Sequence, residues 1–79
     1  MKIVITTSPM SMFTEDFAKV VGRVTKNKVA KDTTRKWGFV VGGFKVWGGN
    51  ITAPQETTEA TIDSIIKALK KRDCECKIE

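Results

Sequence analysis

Apolar residues in this 79-residue chain first alternate, then recur at helical spacing, then alternate again. From Lys2 to Thr7, Ile3 and Ile5 share one face while Lys2, Val4 and Thr6 share the other, which is the period of a strand. Ser8-Pro9 ends it, since proline donates nothing to a ladder and biases the residue before it. Phe13, Phe17, Val20, Val21 and Val24 then form one stripe, which predicts a helix over 14–26 with Lys19, Arg23 and Lys26 elsewhere on its surface. Thr14 is the expected N-cap, with Glu15 and Asp16 in the first turn against the positive end of the helix dipole. Gly22 weakens such a helix by up to about 1 kcal/mol, and Asn27 offers a left-handed end to it.

Residues 28–34 have little apolar content and read as a basic connecting loop. Arg35–Val41 and Phe44–Ile51 read as two strands joined by Gly42-Gly43, because the favoured two-residue hairpin turns need positive φ. Pairing across that turn sets Val41 opposite Phe44, Phe39 opposite Val46 and Trp37 opposite Gly48, all on one apolar face. Lys36, Gly38, Val40, Lys45 and Trp47 take the other face, with the Trp47 indole over Gly38. Gly48-Gly49-Asn50 adds a bulge or begins a loop. After Ala53-Pro54, Thr57 or Thr58 caps a second helix with Glu56 and Glu59 at its start and Lys70, Lys71 and Arg72 at its end. Its buried stripe is Ile62, Ile65, Ile66 and Leu69. Cys74–Glu79 alternates and predicts a closing strand with Cys74, Cys76 and Ile78 inward.

The expected order is strand, helix, strand, strand, helix, strand. That is a single α+β domain over residues 1–79, a ferredoxin-like βαββαβ fold. It has a four-stranded antiparallel sheet, with both helices on one face and the other face open. An outer strand of such a sheet offers a route to a homodimer. With 41% hydrophobic and 29% charged residues, the composition fits a folded soluble domain rather than a disordered tail. No apolar run approaches the roughly 20 residues of a membrane span, and Met1-Lys2-Ile3-Val4-Ile5 is too quickly polar for a signal peptide. A cytoplasmic protein without a membrane partner is the expectation.

The charge is uneven. Residues 1–50 hold nine basic and three acidic side chains, and residues 51–79 hold five and six. Within 17–50 lie Lys19, Arg23, Lys26, Lys28, Lys31, Arg35, Lys36 and Lys45, against Asp32 alone. This field surrounds the aromatic segment and points to a polyanion or an acidic partner. Chemistry is not indicated. Histidine, the commonest general base, is absent. Cys74-x-Cys76 falls short of the about four ligands of a zinc site, and reads as two reduced core thiols. The Gly-Gly pairs match no phosphate-loop spacing. No enzyme and no cofactor is expected.

Arg35-Lys36-Trp37-Gly38-Phe39-Val40-Val41 resembles the octapeptide of RNA recognition motif domains, which runs basic–Gly–aromatic–Gly–aromatic–Val. That family shares the βαββαβ order and stacks bases on its open sheet face. Val4 stands here where an aromatic is usual, Lys36 where the motif's first glycine lies, and Gly42 where its last aromatic lies. The resemblance implies that Trp37 and Phe39 are exposed and stack bases. The Gly-Gly hairpin instead buries both and leaves Trp47 outside, and it is the preferred reading because it buries more apolar area. Acylphosphatases share the topology, but Ser8-Pro9-Met10-Ser11 stands in place of their arginine-bearing loop.

Two functions follow. In the first, the chain binds nucleic acid, preferentially single-stranded or RNA. Arg23, Lys26, Lys28, Lys31, Arg35, Lys36 and Lys45 then form the basic surface, and Trp47 stacks. In the second, the same surface docks on an acidic patch of a larger protein or ribonucleoprotein complex, with Trp47 as anchor. In size and style the chain resembles phage-encoded accessory proteins, including inhibitors of host defence such as anti-CRISPR proteins. The sequence leaves the choice between the two open.

Overall fold

The computed structural model covers residues Met1–Glu79. Its elements are β1 (Lys2–Thr7), α1 (Thr14–Thr25), β2 (Val29–Lys31), β3 (Phe39–Val41), β4 (Phe44–Trp47), β5 (Asn50–Thr52), α2 (Glu59–Lys70) and β6 (Glu75–Ile78). The fold is α+β. The sheet has six strands in the order β2-β3-β4-β5-β1-β6, every neighbouring pair antiparallel. The four-stranded sheet and the plain βαββαβ order expected from the sequence are therefore corrected to six strands and βαββββαβ.

The two extra strands have separate causes. β2 lies in residues expected to form a loop. Of its three residues only Val29 is even half-buried on an apolar side chain, so periodicity cannot reveal it. Its pairing of Val29, Ala30 and Lys31 with Val41, Val40 and Phe39 holds it instead. β5 arises because Gly48-Gly49 makes a second hairpin, with Trp47 opposite Asn50 and Gly48 at φ 58°. What was expected as one strand over 44–51 is thus folded in two. The Gly42-Gly43 turn has Gly42 at φ 60°, and the pairs Val41–Phe44 and Phe39–Val46 form as expected.

Both helices cover one sheet face. Ile3, Phe39, Val41, Phe44, Val46 and Ile51 point from the strands into a core shared with Phe17, Val20, Val21, Ile62, Ile65 and Leu69. Phe13, not Thr14, is the N-cap of α1, and its backbone N–H donates to Asp16 Oδ2 at 2.9 Å. Lys26, not Asn27, takes the left-handed position at the end of α1, at φ 59°. Thr58 caps α2 by accepting from the Thr61 N–H. Cys74 is buried just before β6, Cys76 is half-buried, and Ile78, opposite the buried Ile3 on the inner face as expected, is half exposed because β6 is an edge strand. Burial pushes the Cys74 and Cys76 thiols up, so both are protonated at neutral pH.

Gly22 is where local propensity and tertiary packing conflict. Alanine there would favour the helix by about 1 kcal/mol. Its Cβ would lie 2.8 Å from the Asn27 carbonyl oxygen and 3.2 Å from Val29 Cγ2. The carbonyl is backbone and cannot rotate away. Gly22→Ala is expected to lower stability by about 1 kcal/mol or more despite the gain in propensity. In a domain of this size that moves the thermal midpoint down by about 4–8 °C. Calorimetry reads it, and an unchanged or raised midpoint would refute the steric account.

Candidate functional site

The face of the sheet away from the helices is uncovered, and strand alternation decides what it carries. Register places Trp47, Asn50, Val4 and Lys77 in one row across it and Ala30, Val40, Lys45, Thr52 and Lys2 in the next. At the β4 end of these rows the chain between β2 and β3, residues 32–38, folds over Trp47.

That loop is closed by its own hydrogen bonds. Asp32 Oδ1 accepts from the Thr34 N–H at 2.8 Å and from the Thr34 hydroxyl at 2.6 Å. The Asp32 N–H donates to the Gly38 carbonyl at 2.9 Å, and the Gly38 N–H to the Arg35 carbonyl at 3.1 Å. The Thr34 hydroxyl bond, then the Thr34 N–H, then the Lys45 and Arg35 charges hold the Asp32 carboxyl below its usual range. Arg35 reaches back so that its guanidinium carbon lies 4.5 Å from the centre of the Trp47 ring. The Trp47 indole N–H donates to the Lys36 carbonyl at 3.3 Å. Trp47 is consequently 46% exposed, with one face under a cation.

The loop overturns the expected place of Trp37. Residues 35–38 are not strand, so Trp37 does not oppose Gly48 and is not core. It sits at φ 64° and is 75% exposed. Lys36 and Gly38 likewise leave the sheet face for the loop, and Arg35, not Gly38, covers the Trp47 indole.

The loop separates two depressions. One, of about 270 Å³, opens on the sheet face between Trp47, Lys45, Lys2 and Asn50. The other, of about 670 Å³, lies toward α1 between Phe13, Glu15, Lys31, Lys36 and Trp37. Asp32 and Arg35 line both. The Thr14 hydroxyl lies 3.5 Å from the Gly48 carbonyl, which fixes the start of α1 at this end of the sheet.

Five of the eight residues expected at the site gather here: Lys31, Arg35, Lys36, Lys45 and Trp47. The other three do not. Lys26 ends α1 about 18 Å from its start, and Lys28 precedes β2 at that same far end, where Asn27 packs against Gly42. Arg23 lies over the helices in a shallow depression with Lys67, Lys71 and Arg72. Lys2 and Phe13 are the site residues that sequence reasoning missed; Trp37 was expected outside only on the resemblance that the hairpin reading displaced, and Phe39, which that resemblance also put outside, is buried. The only salt bridges join Lys2 and Lys77 to Glu79, so Lys31, Arg35, Lys36 and Lys45 form none, and of these Arg35 and Lys45 act on Asp32 only at longer range. No group of three or more acidic, cysteine or histidine side chains is placed to hold a metal ion, and no helix is long and apolar enough to cross a membrane. No protein-family model, curated protein or solved structure matches the chain.

Proposed function

We propose that this chain is a small non-enzymatic cytoplasmic binding protein. Its partner is single-stranded nucleic acid, RNA included, held at the loop end of the sheet. The observation that carries the reading is the pair of solvent-facing indoles, Trp37 within the loop and Trp47 beneath it, beside cations that form no salt bridge. Unpaired ammonium and guanidinium groups gain by displacing counterions from phosphates, and exposed rings gain by stacking on bases. Lys31, Arg35, Lys36 and Lys45 contact phosphate, while the rings contact bases. The fold supports the reading as well. Taken without β2 and β3, the chain order β1-α1-β4-β5-α2-β6 is βαββαβ. We infer a ferredoxin-like sheet widened by a hairpin after α1, with its uncovered face serving as a platform.

Salt dependence tests this reading. With four cations on phosphates, log K against log salt should fall with a slope of about −3 for a single-stranded oligonucleotide. Lys45→Ala should make that slope shallower by about 0.7. Fluorescence anisotropy of a labelled oligomer measures both, and affinity that does not change with salt would refute the reading.

One observation favours a second reading, docking on an acidic surface of a larger protein or ribonucleoprotein complex in the manner of a phage-type inhibitor. Met10 is 96% exposed and Phe13 69%, which with Trp37 gives this end of the molecule more exposed apolar surface than stacking alone requires. An affinity purification treated with nuclease decides between them, because only a protein partner survives.

A further inference from the structure

We infer that the groove between the start of α1 and the 32–38 loop receives one unstacked base of the bound strand and favours bases carrying an exocyclic amine. This rests on the reading above and goes further by naming the pocket and its selectivity.

Phe13 and Trp37 are wall residues of this groove, both largely exposed, and neither belongs to the core. Both are presented from backbone that hydrogen bonds already hold. Phe13 is tied through Asp16, and Trp37 through the closed loop. Rings displayed this way lose little freedom when a flat ligand arrives. The groove volume, about 670 Å³, is ample for a base and its sugar. Lys31, Arg35 and Lys36 share the groove with the rings, which places cations where the adjoining phosphates would run.

Two carboxylates in the same groove set the selectivity. Glu15 is exposed at the first turn of α1. Asp32 spends Oδ1 on both Thr34 bonds and leaves Oδ2 without a partner. A carboxylate only accepts hydrogen bonds, so it repels phosphate and pairs with an amine such as N4 of cytosine. Uracil presents a carbonyl oxygen at that position and gains nothing from it.

The test titrates the full-length chain with fluorescently labelled single-stranded C8 and U8 at one salt concentration. C8 should bind more tightly than U8. Phe13→Ala should weaken C8 by about fivefold to about a hundredfold, the effect of one lost stacking contact, and Phe13→Tyr should restore it. Glu15→Gln should narrow the difference between C8 and U8. Circular dichroism confirms that each variant is folded. If Phe13→Ala binds C8 like the parent while Lys45→Ala is weakened, the groove is not the base pocket, although the surface reading stands. Equal binding of C8 and U8 by the parent removes the selectivity. If neither oligomer binds, both the pocket and the reading beneath it fall.

Discussion

Trp37→Gly is expected to weaken oligonucleotide binding by about 1–3 kcal/mol while leaving the fold as stable as before or up to about 1 kcal/mol more stable. Trp37 occupies the left-handed region at φ 64°, which costs a residue with a β-carbon about 1–2 kcal/mol. Glycine adopts that conformation freely, though its greater freedom in the unfolded chain returns part of the gain. At 75% exposure the indole buries little that would be lost, and its contact with the Lys36 ammonium, 5.8 Å from the ring centre, is long. Folding alone therefore gives no reason for tryptophan here, whereas a ring held toward solvent in a strained loop suits binding. Urea titration and anisotropy on the same preparation separate the two effects. A loss of stability that matches the loss of binding would make Trp37 structural and end this argument.

The sequence was most legible where a side chain declares its environment by period. Ile3 with Ile5, the stripe from Phe17 to Val24, and the stripe from Ile62 to Leu69 each mark an element that the structure contains. Gly42-Gly43 was legible because a turn needs positive φ. β2 was not, because an edge strand held by backbone hydrogen bonds leaves no apolar alternation. The site suffered most from the 32–38 loop. Arg35–Val41 alternates like a strand, so Trp37 looked like core. The contrary signal was Asp32 two residues before Thr34, a spacing that favours a side-chain-capped turn over an extended chain. Gly48-Gly49 carried the same turn signal as Gly42-Gly43. Reading both pairs as hairpins would have yielded β5 and the correct neighbours of Trp47. Phe13 was hidden for a different reason: its place on the α1 stripe suggests burial, yet the helix begins just after it and leaves the ring outside.

Ile51→Ala is expected to leave a substantial fraction of the chain unfolded at 25 °C, and a saturating oligonucleotide is expected to refold it. Ile51 is fully buried at the centre of the inner row, opposite Val46 on β4 and Ile3 on β1, so it joins the two halves of the sheet. Truncating a buried isoleucine to alanine costs about 2–5 kcal/mol. A core of this size seldom supplies more than about 3–5 kcal/mol in total, so the substitution removes most of what is available. Binding is then weakened through the folded fraction and not through a lost contact, since Ile51 lines neither depression of the site. This makes the variant a test of function as well as of packing. A ligand that binds only the folded form stabilises it by about 2.7 kcal/mol at a hundred times its Kd, enough to recover much of the deficit. Far-UV circular dichroism of Ile51→Ala, with and without single-stranded oligonucleotide, reads the outcome. Recovery of signal at low salt and its loss at high salt would tie the cationic site to the native fold. A variant that stays unfolded in saturating oligonucleotide at low salt would count against nucleic acid as the partner.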